Sequence, residues 1–176
     1  MTLKQHFELL AQYNQWLNEK LYSLCIELPD DQLIDVTSLH HCSIFGLLQA
    51  AVQLDQQWLA RFASHPAGFV ALLDLRQVTD TGMPETQQPD LSSLWRLRNR
   101  LDQRILALCD ELEVCHLAYP LVYENRQHNR FEKRFGYLLQ HLFNQQTLAR
   151  GGLIIALQQQ GIVPDTTELL AVIPEA

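Results

Sequence analysis

Residues 135–160 read FGYLLQHLFNQQTLARGGLIIALQQQ, and this stretch decides the fold. Its apolar and small residues recur in alternating steps of three and four, which is one face of a helix with about 3.6 residues per turn. These residues are Phe135, Leu138, Leu142, Ala149, Gly152 and Ala156. Gly161 directly after the run and Pro164 three residues later are typical helix stop signals. We therefore expect a long amphipathic helix that ends near Gln160.

Gln145 interrupts this apolar stripe near its middle. Leaving a buried amide without hydrogen-bond partners costs about 1–3 kcal/mol, so we expect Gln145 to be buried and bonded to a side chain of the first or second helix. Asn14 interrupts the first amphipathic segment in the same way, which makes it the leading candidate for the partner. Ala149 lies four residues after Gln145 and is therefore its neighbour on the helix surface.

The same helical periodicity occurs in four segments, at residues 2–28, 43–62, 91–113 and 135–160. Thr2 and Asp90 stand where the first and third segments begin, and both residue types are good N-caps. Arg98 falls on the apolar stripe of the third segment. It either extends its charged end to solvent or pairs with an acid.

The connections between these helices differ in kind. Residues 67–89 form a long crossover between the second and third helices. Alternating apolar residues between positions 116 and 134 indicate a β-hairpin before the fourth helix, and the partly apolar residues 165–176 are expected to pack back on the helices. The sequence predicts an all-α fold, a four-helix bundle with a long second-to-third helix crossover and a small β-hairpin, in one domain over residues 1–176.

Composition excludes several classes of function. The chain of 176 residues has a formal charge of −7 and no uninterrupted cluster of basic residues, so we expect no nucleic-acid partner. No apolar run approaches the roughly 18–20 residues that span a bilayer, so we expect no membrane partner. The four cysteines show no CxxC spacing and are expected to be reduced core residues. The expected compartment is the cytoplasm.

Several short motifs occur in an informative order. They are the stretch from Thr2 to Phe7, the hexapeptide Tyr13-Asn14-Gln15-Trp16-Leu17-Asn18, Ser43-Ile44-Phe45-Gly46, Asp55 with Trp58-Leu59, and His141-Leu142-Phe143-Asn144 with Arg150-Gly151. Together with the tail they resemble the DinB-like (DNA-damage-inducible) four-helix-bundle family, almost from end to end of the chain. The resemblance implies the same bundle with its hairpin.

The resemblance also implies where a metal would be bound. Family members typically hold a divalent metal with three histidines, and those with assigned activities are described as metal-dependent thiol S-transferases or isomerases. The three positions correspond here to Ala50, Gln145 and Ala149. Alanine has no donor atom, and an amide oxygen is a poor ligand for zinc-like or nickel-like ions. We therefore expect no metal, no other cofactor and no catalytic residue of the family's kind.

Two functional hypotheses rest on the residues, and a third, a regulatory or partner-binding role linked to stress, rests only on the name of the family that the chain resembles. The first is a metal-free binding or scaffold protein of unknown specific role. The second is a small-molecule enzyme, similar to a thiol transferase or isomerase, that uses the same central cavity with a displaced metal site or none. The candidate ligand pocket consists of the former metal positions and their neighbours, namely Ala50, Gln145, Ala149, Asn14, Gln53, Asp55 and His141. A displaced metal would use His141, Gln145 and Asp55, and a nucleophile would be Cys42 or Cys109.

A homodimer is the expected assembly, with a small molecule as a possible further partner. The fourth helix carries extra apolar residues away from its main stripe, at Leu139, Phe143, Leu153, Ile154 and Leu157. More than one of its faces should therefore be covered, either by a second copy of the chain or by the hairpin, the tail and the other helices.

Overall fold

The computed structural model describes residues 1–35, 42–77, 90–125 and 127–175. The bundle consists of helices α1 (Leu3–Ile26), α3 (Ile44–Phe62), α4 (Leu91–Asp110) and α6 (Phe135–Gln159). Short α-helices follow α1 and α4, namely α2 (Asp30–Ile34) and α5 (Val114–Leu117). The strands of the hairpin are β1 (Pro120–Glu124) and β2 (Arg130–Arg134). The predicted all-α four-helix bundle with a hairpin before its last helix is confirmed.

Three of the four long helices begin at polar caps. Thr2, Ser43 and Asp90 precede α1, α3 and α4, and each side-chain oxygen accepts a hydrogen bond from the backbone N–H three residues later, at 3.2, 3.0 and 3.0 Å. These bonds satisfy N–H groups that have no partner within the helix. The predicted N-caps Thr2 and Asp90 are therefore confirmed.

The four helices enclose one apolar core. Helix α1 packs on α4 and α6, and α3 packs on the same two helices. The predicted stripe of α6 is buried at Phe135, Leu138, Leu142 and Ala156 but only half-buried at Ala149 and Gly152. Helix α6 is buried over more of its circumference than the predicted stripe, because residues on both sides of the stripe are covered as well.

The crossover begins with a 3₁₀ helix at Val70–Gln77 that is tied to α4. The carboxylate of Glu111, just beyond α4, accepts hydrogen bonds from the backbone N–H groups of Val70 at 2.6 Å and Ala71 at 2.9 Å. Farther along, Arg104 donates to both oxygens of Asp74, at 2.6 and 2.5 Å. The rest of the predicted crossover, residues 78–89, lies outside the described residues.

The hairpin is antiparallel and runs directly into α6. Val122 faces Glu132, and Pro120 faces Arg134, which is immediately followed by the first residue of α6. The strands are shorter than predicted, because residues 114–117 form α5 instead of continuing a strand. Gly136 fits closely against α5, where a Cβ would lie 3.1 Å from the carbonyl oxygen of Leu117.

The tail returns to α1, as predicted, although polar contacts hold it. The Tyr13 hydroxyl donates to the Thr167 carbonyl at 2.6 Å, and Lys20 forms an ion pair with Asp165 at 2.5 Å. The apolar tail residues contribute less than expected, since Leu170 is 71% exposed. Within the residues that the structure describes, no helix combines the length and apolarity needed to cross a bilayer.

The apolar residues that suggested a dimer lie inside the protein. Leu139, Phe143, Leu153 and Leu157 are buried and Ile154 is half-buried, so they are not available to a second copy. The exposed apolar residues of α6 are others, namely Tyr137, Leu148 and Ile155, which are 70%, 78% and 43% exposed. The rest of the chain therefore covers these residues, as the alternative left open by the sequence had it, and the homodimer stays a prediction without support from them.

Candidate functional site

A network of buried polar side chains crosses the middle of the bundle. Each long helix contributes to it, and all of its members are at most 7% exposed. They are Asn14 and Asn18 of α1, Asp55 of α3, Arg98 and Asp102 of α4, and Gln146 and Arg150 of α6. Charges buried to this degree are tolerated only when they are paired and hydrogen-bonded.

Arg98 is the central cation of this network. Its guanidinium lies 2.5 Å from Asp55 Oδ2 and 2.8 Å from Asp102 Oδ1. Gln146 Nε2 also donates to Asp55 Oδ2, at 2.8 Å. Burial alone would lower the pKa of Arg98, but the two carboxylates outweigh it and hold that pKa above its ordinary value. Arg98 is therefore permanently charged. Of the two predictions for this residue, the one that pairs it with an acid is confirmed.

Asp102 accepts hydrogen bonds from both amides of α1. Asn14 Nδ2 lies 2.8 Å from Asp102 Oδ1, and Asn18 Nδ2 lies 3.0 and 3.2 Å from the two carboxylate oxygens. Burial raises the pKa of Asp102, and the attraction of Arg98, which is shared with Asp55, offsets only part of that effect. The interruption of the α1 stripe at Asn14 thus reflects a bond to an acid on α4.

Arg150 differs from Arg98 in its partners. Its NH1 donates to the amide oxygen of Asn14, and its guanidinium carbon lies 5.4 Å from the centre of the Tyr13 ring. Among the described residues, no carboxylate lies within 4.0 Å of the Arg150 guanidinium. Burial accordingly lowers the pKa of Arg150 to about 10.

Two adjoining cavities of about 20 Å³ each open beside the network. Both are bounded by Asn18, Ala51, Arg98, Ala149 and Arg150. A cavity needs about 10–15 Å³ of such space to hold one water molecule. Several buried polar atoms near the cavities have no hydrogen-bond partner, namely Arg98 Nε, Arg150 Nε, Gln146 Oε1 and the Tyr22 hydroxyl. The site therefore combines space with unsatisfied polar groups.

The structure brings some of the predicted pocket residues together and leaves others apart. Asn14 and Asp55 belong to the network, and Gln145 and Ala149 line the first cavity. Four predicted members line neither cavity, namely Asn14, Ala50, Gln53 and His141. Ala50 is exposed and its neighbour Ala51 forms the wall, while Gln53 is half-buried and His141 is exposed.

The predicted partner of Gln145 was wrong. Its Oε1 accepts a hydrogen bond from Trp58 Nε1 at 2.7 Å, and the side chain is only half-buried. The expected bond to a side chain of the second long helix exists, but Trp58 makes it. Asn14 is occupied by Asp102 and Arg150 instead. The exposed His141 ring lies 5.1 Å from the Trp58 ring, in an edge contact.

The three positions of the family's metal triad do not fit a divalent metal. Ala50 and Ala149 offer no donor atom, and the oxygen of Gln145 already accepts from Trp58. Imidazole and thiolate are the ligands that zinc and nickel favour, and none is present at these positions.

A different group of metal-ligand types lies at α5, where Glu113, Cys115 and His116 approach within 4.8 Å. Cys115 Sγ lies 3.6 Å from Glu113 Oε2, which is close to the roughly 3.5 Å between the ligands of tetrahedral zinc. His116 Nδ1 accepts from the backbone N–H of Glu113 at 3.1 Å, and the Glu113 carboxylate caps α5 in return. These groups serve as a helix cap, so they do not form a ready metal site.

The cysteines divide into two pairs of different character. Cys25 and Cys109 are buried as predicted, whereas Cys42 and Cys115 are exposed. Burial raises the pKa of Cys25 and of Cys109 to about 12. Since the thiolate is the nucleophile, the burial of Cys109 disfavours it as the nucleophile of the enzyme alternative.

Sequence reasoning missed Asn18, Asp102, Gln146 and Arg150 as members of the site. A usable signal was present in the spacing of polar residues. The network contains three pairs four residues apart, namely Asn14 with Asn18, Arg98 with Asp102, and Gln146 with Arg150. Such pairs share one helix face, so each marks a polar patch one turn long on an apolar helix.

The sequence profile of the DinB family matches residues 1–175 of the chain. A comparison with curated proteins finds no match.

Proposed function

Because the chain belongs to the DinB family but has no usable metal ligands at the triad positions, we propose that it is a metal-free binding protein. It recognises a small molecule at the centre of the bundle and does not perform the family's metal-dependent chemistry. The supporting observation is the donor set: two methyl groups and one amide oxygen that is already engaged by Trp58. The polar groups of the centre are arranged for recognition through hydrogen bonds.

The proposal is tested by adding zinc or nickel to protein first stripped with a chelator. A ligand that binds only the folded state raises the melting temperature by mass action. The wild-type melting temperature is expected to stay constant. The variant Ala50→His, Gln145→His and Ala149→His together should gain a metal-dependent rise, because two histidines four residues apart can share one ion. Stoichiometric metal on the wild type would overturn the proposal, and the Cys115→Ser variant would show whether α5 holds it.

The proposal includes a homodimer formed through the exposed face of α6. Tyr137, Leu148 and Ile155 lie within about 20° of one another around the helix, at 100° per residue. The 25 residues of α6 contain one charged side chain, Arg150, which is buried, so no charge must be desolvated when this face is covered. An exposed apolar face of this kind is typical of an interface.

A second copy is the occupant that this face fits best. In an antiparallel pair related by a twofold axis near residue 146, Tyr137 would face Ile155 of the other copy, and Leu148 would face Asn144. Light scattering at micromolar concentration should give the mass of a dimer for the wild type and of a monomer for Leu148→Glu. The control Val163→Glu changes an exposed apolar residue outside α6 and should remain dimeric. A monomeric wild type would rule the dimer out.

Two further elements of the proposal concern surroundings and partners. The compartment is the cytoplasm, a choice supported by four cysteines that form no disulfide, two of which are exposed and would oxidise readily outside a reducing environment. Nucleic acid is not a partner, because a protein of formal charge −7 repels the phosphate backbone.

A further inference from the structure

Helix α1 presents an aromatic face to the tail, made of Tyr13, Trp16 and Lys20. These residues are three and four positions apart, so they share one side of the helix. The rings of Tyr13 and Trp16 stack with their centres 6.2 Å apart, and Lys20 Nζ lies 4.8 Å from the centre of the Trp16 ring. All three side chains are half-buried.

Three polar contacts hold the tail on this aromatic face. The Tyr13 hydroxyl donates to the Thr167 carbonyl at 2.6 Å. Lys20 donates to the Thr166 carbonyl at 3.1 Å and forms an ion pair with Asp165 at 2.5 Å. Consecutive residues of the tail are thus bound by two side chains of α1, and two of the contacts go to the backbone.

Apolar burial contributes little to the anchoring of the tail. Pro164 is buried, but none of residues 165–175 is. Leu170 and Ile173 are 71% and 45% exposed. Segments with few buried apolar contacts open locally at a small cost in free energy while the rest of the protein stays folded. The tail is therefore able to leave α1 without unfolding the bundle.

The Tyr13 ring lies between the tail and the polar centre of the bundle. Its hydroxyl bonds to the tail, and the guanidinium of Arg150 lies over its ring, 5.4 Å from the ring centre. Arg150 is 94% buried and bonds to Asn14 of the network. Each central cavity of about 20 Å³ has room for about one water molecule. A small molecule therefore reaches the centre only when a surrounding element moves.

We propose that residues 165–175 form a strap whose release from α1 allows Tyr13 to turn away and opens the Arg150 end of the polar network to solvent. The strap is closed in this structure, because its three polar contacts are all formed. Its role as the entrance for a small molecule rests on the proposed function. Its control of solvent access to Arg150 does not.

The experiment measures how fast Arg150 of the full chain reacts with phenylglyoxal, a reagent for guanidinium groups that are accessible from solvent. Peptide mapping by mass spectrometry gives the rate for this single residue. The double variant Tyr13→Phe with Lys20→Met removes the three polar contacts of the strap and keeps the ring beside Arg150. We expect Arg150 to react about tenfold faster than in the wild type, since losing one or two hydrogen bonds raises a local opening equilibrium by about that factor.

The matched control is Lys4→Met. Lys4 lies near the start of α1 and also makes one hydrogen bond to a carbonyl, that of Asp110, and one ion pair, with Glu8. Its replacement weakens the bundle, but the closed and the released strap both retain the bundle, so Arg150 should react at the wild-type rate. An unchanged Arg150 rate in the double variant would overturn the proposal. An equal acceleration by Lys4→Met would also overturn it, because Arg150 would then react only after the whole bundle unfolds.

This test is independent of the test of the proposed function, because it uses neither a metal nor a bound small molecule. Its failure removes only the strap. Metal binding by the wild type overturns the metal-free proposal, whatever the reaction rate of Arg150.

Discussion

Arg98 is paired with two acids on different helices. Replacing it should show how much unfolding free energy is lost when buried carboxylates have no cation. The Arg98→Met variant leaves Asp55 and Asp102 buried without their cation. We expect it to lose about 3–5 kcal/mol of unfolding free energy, as is usual when one partner of a buried ion pair is removed. The control is Arg104→Met, which breaks the exposed pair with Asp74 and should cost about 1 kcal/mol or less. Similar losses in urea unfolding for the two variants would contradict this interpretation.

His65 is expected to make stability depend on pH. Its ring is 1% exposed, Nδ1 accepts from the Ala67 N–H at 3.1 Å, and Nε2 donates to the His116 carbonyl at 3.3 Å. A second ring proton would point at the Ala67 N–H, and burial already lowers the pKa of His65. The folded-state pKa is thus below the unfolded value of about 6.5. The stability that neutral His65 contributes is fully present above the unfolded-state pKa. It is lost as the pH falls through the folded-state pKa.

The measurement is urea unfolding at several pH values between 5 and 8. The wild type should become less stable below about pH 6.5, the unperturbed histidine value, and His65→Gln should show a shallower decline because the titrating group is gone. His128→Asn, in the exposed hairpin turn, is the control and should keep the wild-type profile. Asparagine suits this position, where φ is 58°. Identical profiles for all three proteins would exclude His65 as the cause.

At the level of single residues, the sequence showed which polar side chains interrupt an apolar helix face but not which partners they bond to. Asn14, Gln145 and Arg98 were recognisable because each interrupts an apolar stripe. Their partners depend on how the helices are rotated and shifted against one another. The sequence of a single helix does not contain that information. For this reason Gln145 was assigned to Asn14, although it bonds to Trp58 and the next residue, Gln146, faces the network.

Two glycines of α6 should respond oppositely to the same substitution. At Gly136 an added Cβ would lie 3.1 Å from the Leu117 carbonyl oxygen, so Gly136→Ala forces α5 and α6 apart and should cost about 1–3 kcal/mol. At Gly151 an added Cβ meets nothing within 4 Å, so Gly151→Ala should stabilise the helix by about 1 kcal/mol. Urea unfolding in a Leu148→Glu background keeps the proposed dimer out of the comparison. A stabilising Gly136→Ala would show that the junction relaxes freely.

Long elements were predictable from the sequence, whereas short ones were not. Periodicity and caps located the four helices to within a few residues, because both are local properties of the chain. The single turn α5 was read as strand, since four residues cannot display a period. In the structure, Glu113 and His116 form reciprocal cap bonds at its start.

For the whole molecule, the tail connects the surface with the polar centre. Thr167 bonds to Tyr13, whose ring lies against Arg150, and Asp165 pairs with Lys20. Truncation after residue 164 should therefore lower the unfolding free energy by about 1–2 kcal/mol, the net contribution of one or two hydrogen bonds. Truncation after residue 168 keeps these contacts and should cost less. Equal losses in urea unfolding would show that the 3₁₀ helix at Leu169–Val172 carries the effect instead.

The absence of any spacer between β2 and α6 has a consequence for how the chain tolerates change in length. Each residue added to an α-helix turns all that follows by about 100°. One amino acid inserted between Arg134 and Phe135 would turn Gln146 and Arg150 away from the bundle centre, while the strand stays anchored by its pairing with β1. The same insertion in the turn at 125–129 would leave the phase of α6 unchanged. The pairing of β1 with β2 thus fixes the rotation of α6 about its own axis. Natural insertions and deletions should therefore accumulate at the tip of the hairpin.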